Sequence, residues 1–432
     1  MSALATDLQG LAMAAAYHAA GRRELATYEL FVRALPRGRS FLVAAGIEVA
    51  LERIETLRFT TAETRYLRED PYFQGIPASF FQWLEGFRFT GTVRAVAEGT
   101  PVFAGEPLLS VTAPVVEAQI LETALLAVVS LSTSAASKAA RLVTAARDRP
   151  VVEFAGRRAP GIAAPLWIAH AAYLAGCAGT SNVEAARLFG IPLFGGAAHS
   201  WVLAHGDERQ AFEAFLDLFP DADLLPLDTY DAEAAARTLA GLGRPVRGVR
   251  IDSGELGSLS RSVREILDGA GLRSTTITAS GELDEYRIDE LVCGGAPIDR
   301  FGVGKQLATP GDAPALGAVY KLVEIEGERG AVRKPAKTSP GKANVAGAKQ
   351  VLRRFDEHGR AAGDRVATLG TPPRKGETEL LAPAIVNGQR ARPTEPLELA
   401  RARTRAAIEA LPPGVRRLAV PDPYPIAIEL SA

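Results

Sequence analysis

The stretch GIPLFGGAAHSWV (residues 190–202) places a histidine, His199, directly after a run of very small residues. A neutral imidazole is a nucleophile at physiological pH, so a histidine with open space around it is a candidate for chemistry. Gly195 and Gly196, followed by two alanines, provide such space. The plainer interpretation is a buried histidine whose ring bonds a backbone carbonyl. This stretch alone leaves both interpretations open.

Four other apolar runs end in residues that suit phosphate or sugar chemistry. In EFAGRRA, Arg157 and Arg158 are adjacent, and paired guanidinium groups suit pyrophosphate because each can bind two oxygens. In FGVGKQLAT, two glycines let the backbone approach a phosphate. The other two runs are VRIDSGE, with Arg250 and Asp252, and LDTYD, with Asp228 and Asp231.

Each of these four tips also has a plain structural interpretation. The arginine pair would be a solvated basic turn, and the glycines of FGVGK a tight turn. Asp252 and Ser253 would cap the next helix beside a surface arginine. The aspartates of LDTYD would cap a helix, or would hold Mg²⁺ or a ribose. Taken together, and without a zinc-ligand set or a Ser-His-Asp order, the tips indicate a protein that handles a sugar phosphate or pyrophosphate.

The tips end short apolar runs that alternate with helical stretches. Such strand-then-helix units predict an α/β fold with a parallel barrel or sheet, whose chemistry lies at the carboxyl ends of the strands. We expect residues 116–345 to form an α/β barrel that carries the active site. The predicted strands lie in VVEFAGRRA, IPLFGGAAHS, LLPLDTYD, VRGVRIDSGE, TTITASGELDEY and IDRFGVGKQL.

Residues 1–115 predict a smaller α+β domain, joined by part of 345–432. Within it, residues 40–57 predict a helix capped by Ser40, and residues 91–114 a small antiparallel sheet with tight turns. The other predicted features are a first helix around Leu11 to Tyr17, a strand in residues 26–36, a helical run over residues 116–147, and a flexible connector in residues 333–350, rich in glycine, proline and lysine.

Composition excludes several classes of protein. The 432 residues are 47% hydrophobic and 23% charged, which is ordinary for a globular protein, and the formal net charge of −1 gives no sign of nucleic-acid or polybasic membrane binding. Two cysteines are too few for a disulfide framework and fit a reducing cytosol, so we predict a cytoplasmic location. By the sequence alone, no apolar run reaches the roughly 20 residues of a membrane span.

Nearly the whole chain resembles the nicotinate phosphoribosyltransferase family of type II phosphoribosyltransferases. The motifs follow one another in the family's order, and the series is more specific than any one of its members. The motifs are YELFVRALP…FLVAAGIE, EFAGRRA, GTSNVEAARLFGIPLFGGAAHSWV, DTYD, VRIDSGEL, DEYRI, IDRFGVGKQLAT…GAVYKLVEI and PGKANVAGAKQV.

The resemblance implies a fold and an activity. The fold is an irregular α/β barrel with a smaller mixed domain built from the N- and C-terminal segments. The activity joins nicotinate to phosphoribosyl pyrophosphate, giving nicotinate mononucleotide and pyrophosphate, with ATP as a co-substrate and Mg²⁺ as cofactor. The resemblance also implies homodimers with shared active sites, and no nucleic-acid or membrane partner.

The resemblance further implies roles for individual residues around the sugar phosphate. His199 matches the histidine that the family phosphorylates from ATP, with Ser200 beside it as a binding residue. Arg157 resembles an arginine that binds pyrophosphate, and Asp252 a carboxylate that contacts the ribose. The backbone sites around the 5′-phosphate correspond to Gly281, Gly302 and Gly304.

A second group of matching residues bears on the base. Phe154 matches an aromatic residue that stacks on the pyridine ring, and Arg250 the arginine that meets its substituent. Thr180 and Ser181 lie where the choice between acid and amide is made. Related enzymes that use the amide carry an aspartate at the position of Ser181, and a carboxylate there would repel nicotinate. Ser181 therefore favours an acid substrate.

Several positions depart from the family's pattern near the base. Gln9 stands where relatives have a tyrosine that stacks on the base across the dimer, and Pro160 where they have histidine. Gly196 replaces a threonine, Glu282 an aspartate, and His170 an arginine or serine. These departures put the identity of the acceptor base in question more than the reaction class.

Three alternatives remain beside the leading interpretation. The chain would be a paralogue that acts on another heteroaromatic acid, or a non-catalytic member that binds nucleotide. Outside the family, it would be a phosphate-binding barrel such as an aldolase, for which Lys305 is the candidate Schiff-base lysine.

Overall fold

The computed structural model describes residues 2–327, 330–339 and 344–430. The chain forms two compact units, Met1–Ser134 with Ala315–Ala432, and Ala135–Pro314. The predicted domain limits at residues 115 and 345 stay a prediction, because compactness does not show which part folds independently.

The first unit begins with a helix and a long strand and continues through short elements. In chain order they are α1 (Leu8–Ala19), β1 (Leu25–Val32), β2 (Leu42–Val43), α2 (Ile47–Thr56), α3 (Thr61–Glu69), a 3-10 helix (Pro71–Phe73), α4 (Ala78–Glu85), β3 (Thr92–Ala95), β4 (Pro101–Val102), β5 (Pro107–Pro114), α5 (Val115–Ile120) and α6 (Glu122–Ala146).

The second unit alternates strands and helices. Its elements are β6 (Val151–Glu153), a 3-10 helix (Gly156–Arg158), α7 (Ala164–Leu174), β7 (Gly179–Thr180), α8 (Val183–Phe189), α9 (His199–His205), α10 (Glu208–Leu218), β8 (Leu225–Pro226), α11 (Ala232–Ala240), β9 (Gly248–Ile251), α12 (Leu256–Gly269), β10 (Thr276–Ala279), α13 (Glu285–Cys293), β11 (Arg300–Val303) and α14 (Lys305–Ala308).

The remainder of the first unit is mostly strand. Its elements are β12 (Ala318–Glu326), β13 (Val332–Arg333), β14 (Lys349–Phe355), β15 (Ala361–Thr368), β16 (Glu377–Glu379), β17 (Ala382–Val386), β18 (Gln389–Arg390), α15 (Leu397–Glu409) and β19 (Ile426–Glu429). The predicted connector includes residues 340–343, which lie outside the described residues.

The first unit is organised around a seven-stranded sheet in the order β13-β12-β1-β5-β3-β17-β18. Strand β1 lies inside the sheet and pairs antiparallel with β12 and β5. Because β1 is covered on both faces, every residue after its first is buried. The predicted antiparallel sheet in residues 91–114 is confirmed by the pairing of β3 with β5. A second sheet has the order β16-β14-β15-β19, and β2 pairs with β4.

The predicted helix over residues 40–57 is wrong in its first third. The helix begins only at Ile47, and the hydroxyl of Ser40 donates to the carbonyl of Val415 instead of capping it. The N-terminus of α2 is capped from a distance, because the buried carboxylate of Glu98 accepts from the N–H groups of Gly46 (2.7 Å) and Glu48 (3.0 Å). A cap from fifty residues away leaves no local sequence signal.

Helix α6 passes from the first unit into the second. By length and hydropathy alone it is a candidate membrane span, which the sequence did not lead us to expect. However, 61% of its most apolar window is buried inside the structure, as in the core helix of a globular protein.

The second unit contains a six-stranded sheet, β7-β6-β11-β10-β9-β8, in which every neighbouring pair is parallel. At least one helix lies between each pair of successive strands along the chain. The predicted α/β class with a parallel sheet is thus confirmed. Five of the six predicted strands are present at their predicted places, namely β6, β8, β9, β10 and β11.

The sixth predicted strand, at residues 191–194, is wrong. That segment makes only an isolated bridge between Leu193 and Thr180, and the strand of this region is β7. Pro192 has no N–H to donate and limits the segment to hydrogen bonds through its neighbours. On its other side, a Cβ added to Gly196 would lie 2.4 Å from the carbonyl oxygen of Leu224, just before β8. The segment thus contacts both edges of the sheet and closes an irregular barrel.

A buried charge cluster lies in the first unit. Arg353 and Asp364 form a bidentate ion pair with Nη2···Oδ2 at 2.6 Å, and the hydroxyl of Tyr424 donates to Asp364 at 3.0 Å. A second acid, Glu106, is 1% exposed and accepts from the N–H of Phe103. Burial, and then the charge of Asp364, raise the pKa of Glu106 well above its usual range. One cation thus serves two carboxyl groups, and burial beside Asp364 favours the protonated form of Glu106.

We expect E106Q to remove a pH-dependent loss of stability. Above a pH of 4.5, the carboxyl group of Glu106 ionises in the unfolded chain but not in the folded one. The free energy of unfolding of the wild type, relative to E106Q, should therefore fall by about 1.4 kcal/mol per pH unit until the folded pKa is reached. Urea unfolding between pH 4.5 and 8 measures this difference. The exposed control E357Q should show no such trend, and a flat difference for E106Q would contradict the prediction.

Candidate active site

The inner face of the barrel follows from the register of three strands. Arg250 on β9 lies opposite Thr278 on β10, and Thr278 lies opposite Arg300 on β11. Successive residues of a strand alternate between faces, so Asp252 and Ser280 share the face of the residues two positions before them. The opposite face is apolar and buried, and carries Val249, Ile251, Ile277, Ala279, Phe301 and Val303. Polar residues at every second position therefore face the interior of the barrel.

Phe154 lies directly beyond β6 against the glycines of FGVG. Its N–H donates to the carbonyl of Val303 at 2.8 Å. A Cβ added to Gly302 would lie 2.4 Å from the ring of Phe154, and one added to Gly304 would lie 2.9 Å from its carbonyl oxygen. Gly302 thus makes room for this ring and Gly304 for the carbonyl of Phe154, whose side chain is only partly buried.

Asp252, at the end of β9, is held by the next strand. The hydroxyl of Ser280 donates to its Oδ1 at 2.5 Å, and its side chain is 38% exposed. The chain then turns at Gly281, where φ is +87° and an added Cβ would lie 1.9 Å from the carbonyl oxygen of Asp252. Only glycine fits this approach, so the predicted glycine tip places backbone rather than side chain beside the carboxylate.

His199 is the first residue of α9, and its side chain is 34% exposed. Its Nδ1 lies 3.1 Å from Oγ1 of Thr229, and Nη2 of Arg250 lies 3.3 Å from its Nε2. A guanidinium group can only donate, so Nε2 is the acceptor and the proton of the neutral ring is on Nδ1. The hydroxyl oxygen of Thr229 accepts the hydrogen bond from this N–H. Nε2 is therefore the unprotonated, nucleophilic nitrogen.

Asp228 connects β8 to this cluster. Its Oδ2 accepts from the N–H of Asp252 (2.9 Å) and from the hydroxyl of Ser253 (2.6 Å). Ser253 therefore does not cap α12, whose first cap residue is Glu255. The other oxygen, Oδ1, lies 3.9 Å from Nε2 of His199 and is buried without a hydrogen-bond partner among the described residues. By contrast, Asp231 caps α11 through the N–H of Ala234, as its plainer interpretation held.

Thr180 and Ser181 differ in what their side chains contact. Thr180 is fully buried, and its hydroxyl donates to Glu153 and accepts from the N–H of Asn182 at 2.9 Å. Glu153 also accepts from the N–H of Ala155, and burial raises its pKa. Thr180 thus anchors the loop after β6. Ser181, next along the chain, is exposed at the rim of the barrel.

Two predicted residues are less integrated. Arg157, on the 3-10 helix after β6, is exposed, and its side chain makes no hydrogen bond or ion pair with the described part of the chain. Ser200, the second residue of α9, is exposed as well. Both lie on elements that begin at the carboxyl edge of the sheet.

The nearby histidines have partners that leave them less suited to chemistry. Burial lowers the pKa of His170 to about 4, and its ring packs edge-on against Phe189 at 4.7 Å. Nδ1 of His205 lies 2.8 Å from the carbonyl oxygen of Trp201. Among these three, His199 is the one whose nitrogen faces charged groups of the inner face.

Comparison with known proteins identifies the family of this chain. The model of the nicotinate phosphoribosyltransferase N-terminal domain matches residues 4–130, and that of the C-terminal domain matches residues 374–431. Nicotinate phosphoribosyltransferase pncB2 of Mycobacterium tuberculosis is 45% identical over 440 residues, covering 99% of this chain and 92% of its own. The chain belongs to the nicotinate phosphoribosyltransferase family.

Other members of the family agree in sequence and fold. The nicotinate phosphoribosyltransferase of Bacillus subtilis is 40% identical over 375 residues, covering 84% of this chain and 76% of its own. The crystal structure of the human nicotinic acid phosphoribosyltransferase superposes with a TM-score of 0.85 at 27% identity, covering 98% of this chain and 97% of its own. The predicted family and fold class are confirmed, and the chain is a phosphoribosyltransferase enzyme. Consistently, Lys305, the candidate Schiff-base lysine of an aldolase, pairs with Glu282 at 2.7 Å.

The sequence did not single out three residues that organise this family's site here. Thr229 sets the tautomer of His199, Ser280 holds Asp252, and Glu153 holds the loop that carries Arg157. One signal was available for Ser280, because Thr276, Thr278 and Ser280 alternate with apolar residues in TTITAS. No signal links Thr229 to His199, since the two are thirty residues apart.

We expect G302A to displace the ring of Phe154, because the added methyl group would overlap it. An aromatic substrate that stacks on this ring should then bind about two- to tenfold more weakly, since aromatic stacking contributes about 0.5–1.5 kcal/mol. The measurement is KM for the base in a phosphoribosyl-transfer assay, with thermal unfolding to show that the variant folds. G317A is the control, because a Cβ there meets nothing within 4 Å. An unchanged KM for folded G302A would show that the ring does not bear on the base.

Proposed function

We propose that this enzyme catalyses ATP-coupled transfer of the phosphoribosyl group from phosphoribosyl pyrophosphate to nicotinate, giving nicotinate mononucleotide and pyrophosphate. The observation that carries the proposal is the placement of His199 Nε2, unprotonated, between Arg250 at 3.3 Å and Asp228 at 3.9 Å. Family membership supplies the transfer reaction, and this geometry supplies the acceptor for a phosphoryl group.

The transfer step requires positioning more than acid–base chemistry. The pyridine nitrogen of the base is already a nucleophile, and it attacks the anomeric carbon as pyrophosphate leaves, through an oxocarbenium-like state. Phe154 holds the ring of the base by stacking, and Asp252 contacts the ribose. The backbone at Gly281, Gly302 and Gly304 holds the 5′-phosphate. Arg157 is exposed and has no side-chain partner in the described part of the chain, so it would bind the leaving pyrophosphate and stabilise its charge.

Mg²⁺ fits this site as a partner of the phosphates. Among the described residues there is no group of three or more His, Cys, Asp or Glu side chains that would hold a metal ion alone. The buried, unpartnered Oδ1 of Asp228 is the oxygen that would ligate it, with Asp252 next to it. Mg²⁺ takes oxygen ligands and is commonly held by one or two carboxylates together with substrate phosphates, whose charge it neutralises.

ATP enters through His199. Nε2 attacks the γ-phosphorus, a nitrogen–phosphorus bond forms, the bond to the β–γ bridging oxygen breaks, and ADP leaves. The proton on Nδ1 stays on the ring, hydrogen-bonded to Thr229, and Nε2 has no proton to lose. No base is therefore needed to activate the ring. Arg250 faces the transferred group and offsets its charge. The phosphohistidine then tightens the binding of substrate beside the pyrophosphate site, and its hydrolysis to phosphate couples ATP to the transfer.

The acid substrate is favoured by Arg250 and Ser181. Arg250 is a permanent cation whose side chain is 14% exposed, at the depth where a ring substituent would lie. Ser181 at the rim carries no charge that would repel a carboxylate. A second candidate, another heteroaromatic acid, is favoured by Gln9, which stands exposed on α1 where relatives have a stacking tyrosine. We further propose that the enzyme acts as a cytoplasmic homodimer in NAD salvage.

We expect the wild type to use nicotinate in preference to nicotinamide. A hydrogen bond to a charged group contributes about 1.5–3 kcal/mol, so the ratio of kcat/KM values should be about ten- to a hundredfold. S181D should shift this ratio toward the amide by at least tenfold. S181N, which has the same size without the charge, should shift it much less. Equal turnover of acid and amide by the wild type would overturn the proposed acid specificity, and a panel of pyridine acids read by mass spectrometry would then identify the base.

We expect H199A to lose ATP hydrolysis and ATP stimulation while it retains slow transfer, because Arg157, Asp252 and the glycine tips still hold the sugar phosphate. The measurement is labelling with γ-³²P-ATP followed by acid and base treatment, since phosphohistidine is acid-labile and base-stable. T229V should reduce the rate of labelling, because the Nδ1 proton loses its acceptor.

H205A is the matched control, since His205 lies on the same short helix and should leave the labelling intact. Acid-labile label that persists in H199A would mean that another histidine is the acceptor. A wild type that never labels and ignores ATP would remove the phosphoryl role of His199.

A further inference from the structure

Two polar atoms below the rim of the barrel have no partner. Nε of Arg250 and Oγ1 of Thr278 are both buried and make no hydrogen bond with any of the described residues. Thr278 is 0% exposed. A buried donor without a partner destabilises a fold by about 1–3 kcal/mol. Two such donors on adjacent strands therefore indicate a place where a ligand binds.

These two atoms belong to neighbouring residues on one face of the sheet. Arg250 and Thr278 are paired in register between β9 and β10. Both side chains share the inner face with Asp252 and Ser280, which lie one layer nearer the rim and bond each other. Arg250 and Thr278 thus form the layer directly beneath the ribose-contacting carboxylate.

The neighbours on either side are already occupied. On the far side of Thr278, Arg300 pairs with Asp223 at 2.7 Å and lies over the ring of Phe194 at 4.8 Å. On the near side, Nη2 of Arg250 bonds His199. The same Nη2 lies 3.7 Å from Oδ2 of Asp252. Among the described residues of this layer, the buried polar atoms without a partner are therefore Nε of Arg250 and the hydroxyl of Thr278.

We propose that Thr278 is a substrate-binding residue that, together with Nε of Arg250, holds the carboxylate of the base. This inference rests on the proposed function. A carboxylate has two acceptor oxygens on one carbon, which matches one N–H and one O–H donor in adjacent strands, and the hydroxyl proton rotates freely toward it. The ring would then lie one layer above, at the level of Phe154 and Gly302.

The test compares T278V, which keeps the shape and loses the hydroxyl, with T278S, which keeps the hydroxyl. T276V is the matched control, because Thr276 is on the same strand and face and its hydroxyl already bonds the carbonyl of Arg247. KM and kcat for nicotinate are measured, with the inhibition constant of 3-methylpyridine, which has the pyridine ring but no carboxylate.

We expect T278V to raise KM for nicotinate about ten- to a hundredfold, more than it lowers kcat, and to leave the inhibition constant of 3-methylpyridine within about threefold. T278S should restore most of the affinity, and T276V should match the wild type. A folded T278V with the wild-type KM would overturn the assignment and leave the orphan atoms to ordered water. A parallel loss of affinity for 3-methylpyridine would overturn it too, in favour of a packing role.

If the proposed function is wrong, the result differs from a failure of the role proposed for Thr278. In that case the wild type itself forms no nicotinate mononucleotide, and the same series is run on the heteroaromatic acid that the wild type does use. An unchanged KM for that acid in T278V would again overturn the role of Thr278.

Discussion

The site depends on the two-residue alternation of three parallel strands. On β9, β10 and β11 every second residue is apolar and buried on the outer face, and the residues between them face the barrel interior. Burying the apolar set fixes the register, because a slip of one residue would turn the polar set into the core. Arg250, Asp252, Thr278 and Ser280 are therefore placed by the packing of residues that have no part in the chemistry.

The polar side chains on the inner face of these strands bond one another, but they do not satisfy all of one another's hydrogen-bonding groups. Asp228 accepts from the backbone of Asp252, Ser280 donates to Asp252, and Arg250 donates to His199. Yet one oxygen of Asp228, Nε of Arg250 and the hydroxyl of Thr278 are left without partners among the described residues. Each buried, unsatisfied group reduces stability unless a ligand or water supplies its partner. Hydrogen bonds between its own side chains hold the site in place, and the groups that remain unsatisfied are the ones available to a ligand.

Small residues provide the remaining constraint. Gly302 is required by the ring of Phe154, Gly281 by the carbonyl of Asp252, and Gly196 by the carbonyl of Leu224. The first two bring backbone close to the site, and the third lets an irregular segment close the barrel just before His199. The position of His199 thus depends on how the segment before it packs against the edge of the sheet.

The sequence by itself determined the family, the α/β class, five of the six barrel strands and the residues at their tips, because alternating apolar residues and glycine, aspartate and arginine tips are local patterns. It also placed His199 directly after a run of small residues. It did not determine the start of α2, since its cap is Glu98, nor the strand at residues 179–180, since Pro192 breaks the run that looked more like a strand. Only the tertiary structure decided which nitrogen of His199 is unprotonated, because Thr229, in the turn after β8, and Arg250, on β9, contact its ring. Hydrogen bonds between residues far apart in sequence produce no periodic pattern in the sequence, whereas burial along one strand produces a period of two residues.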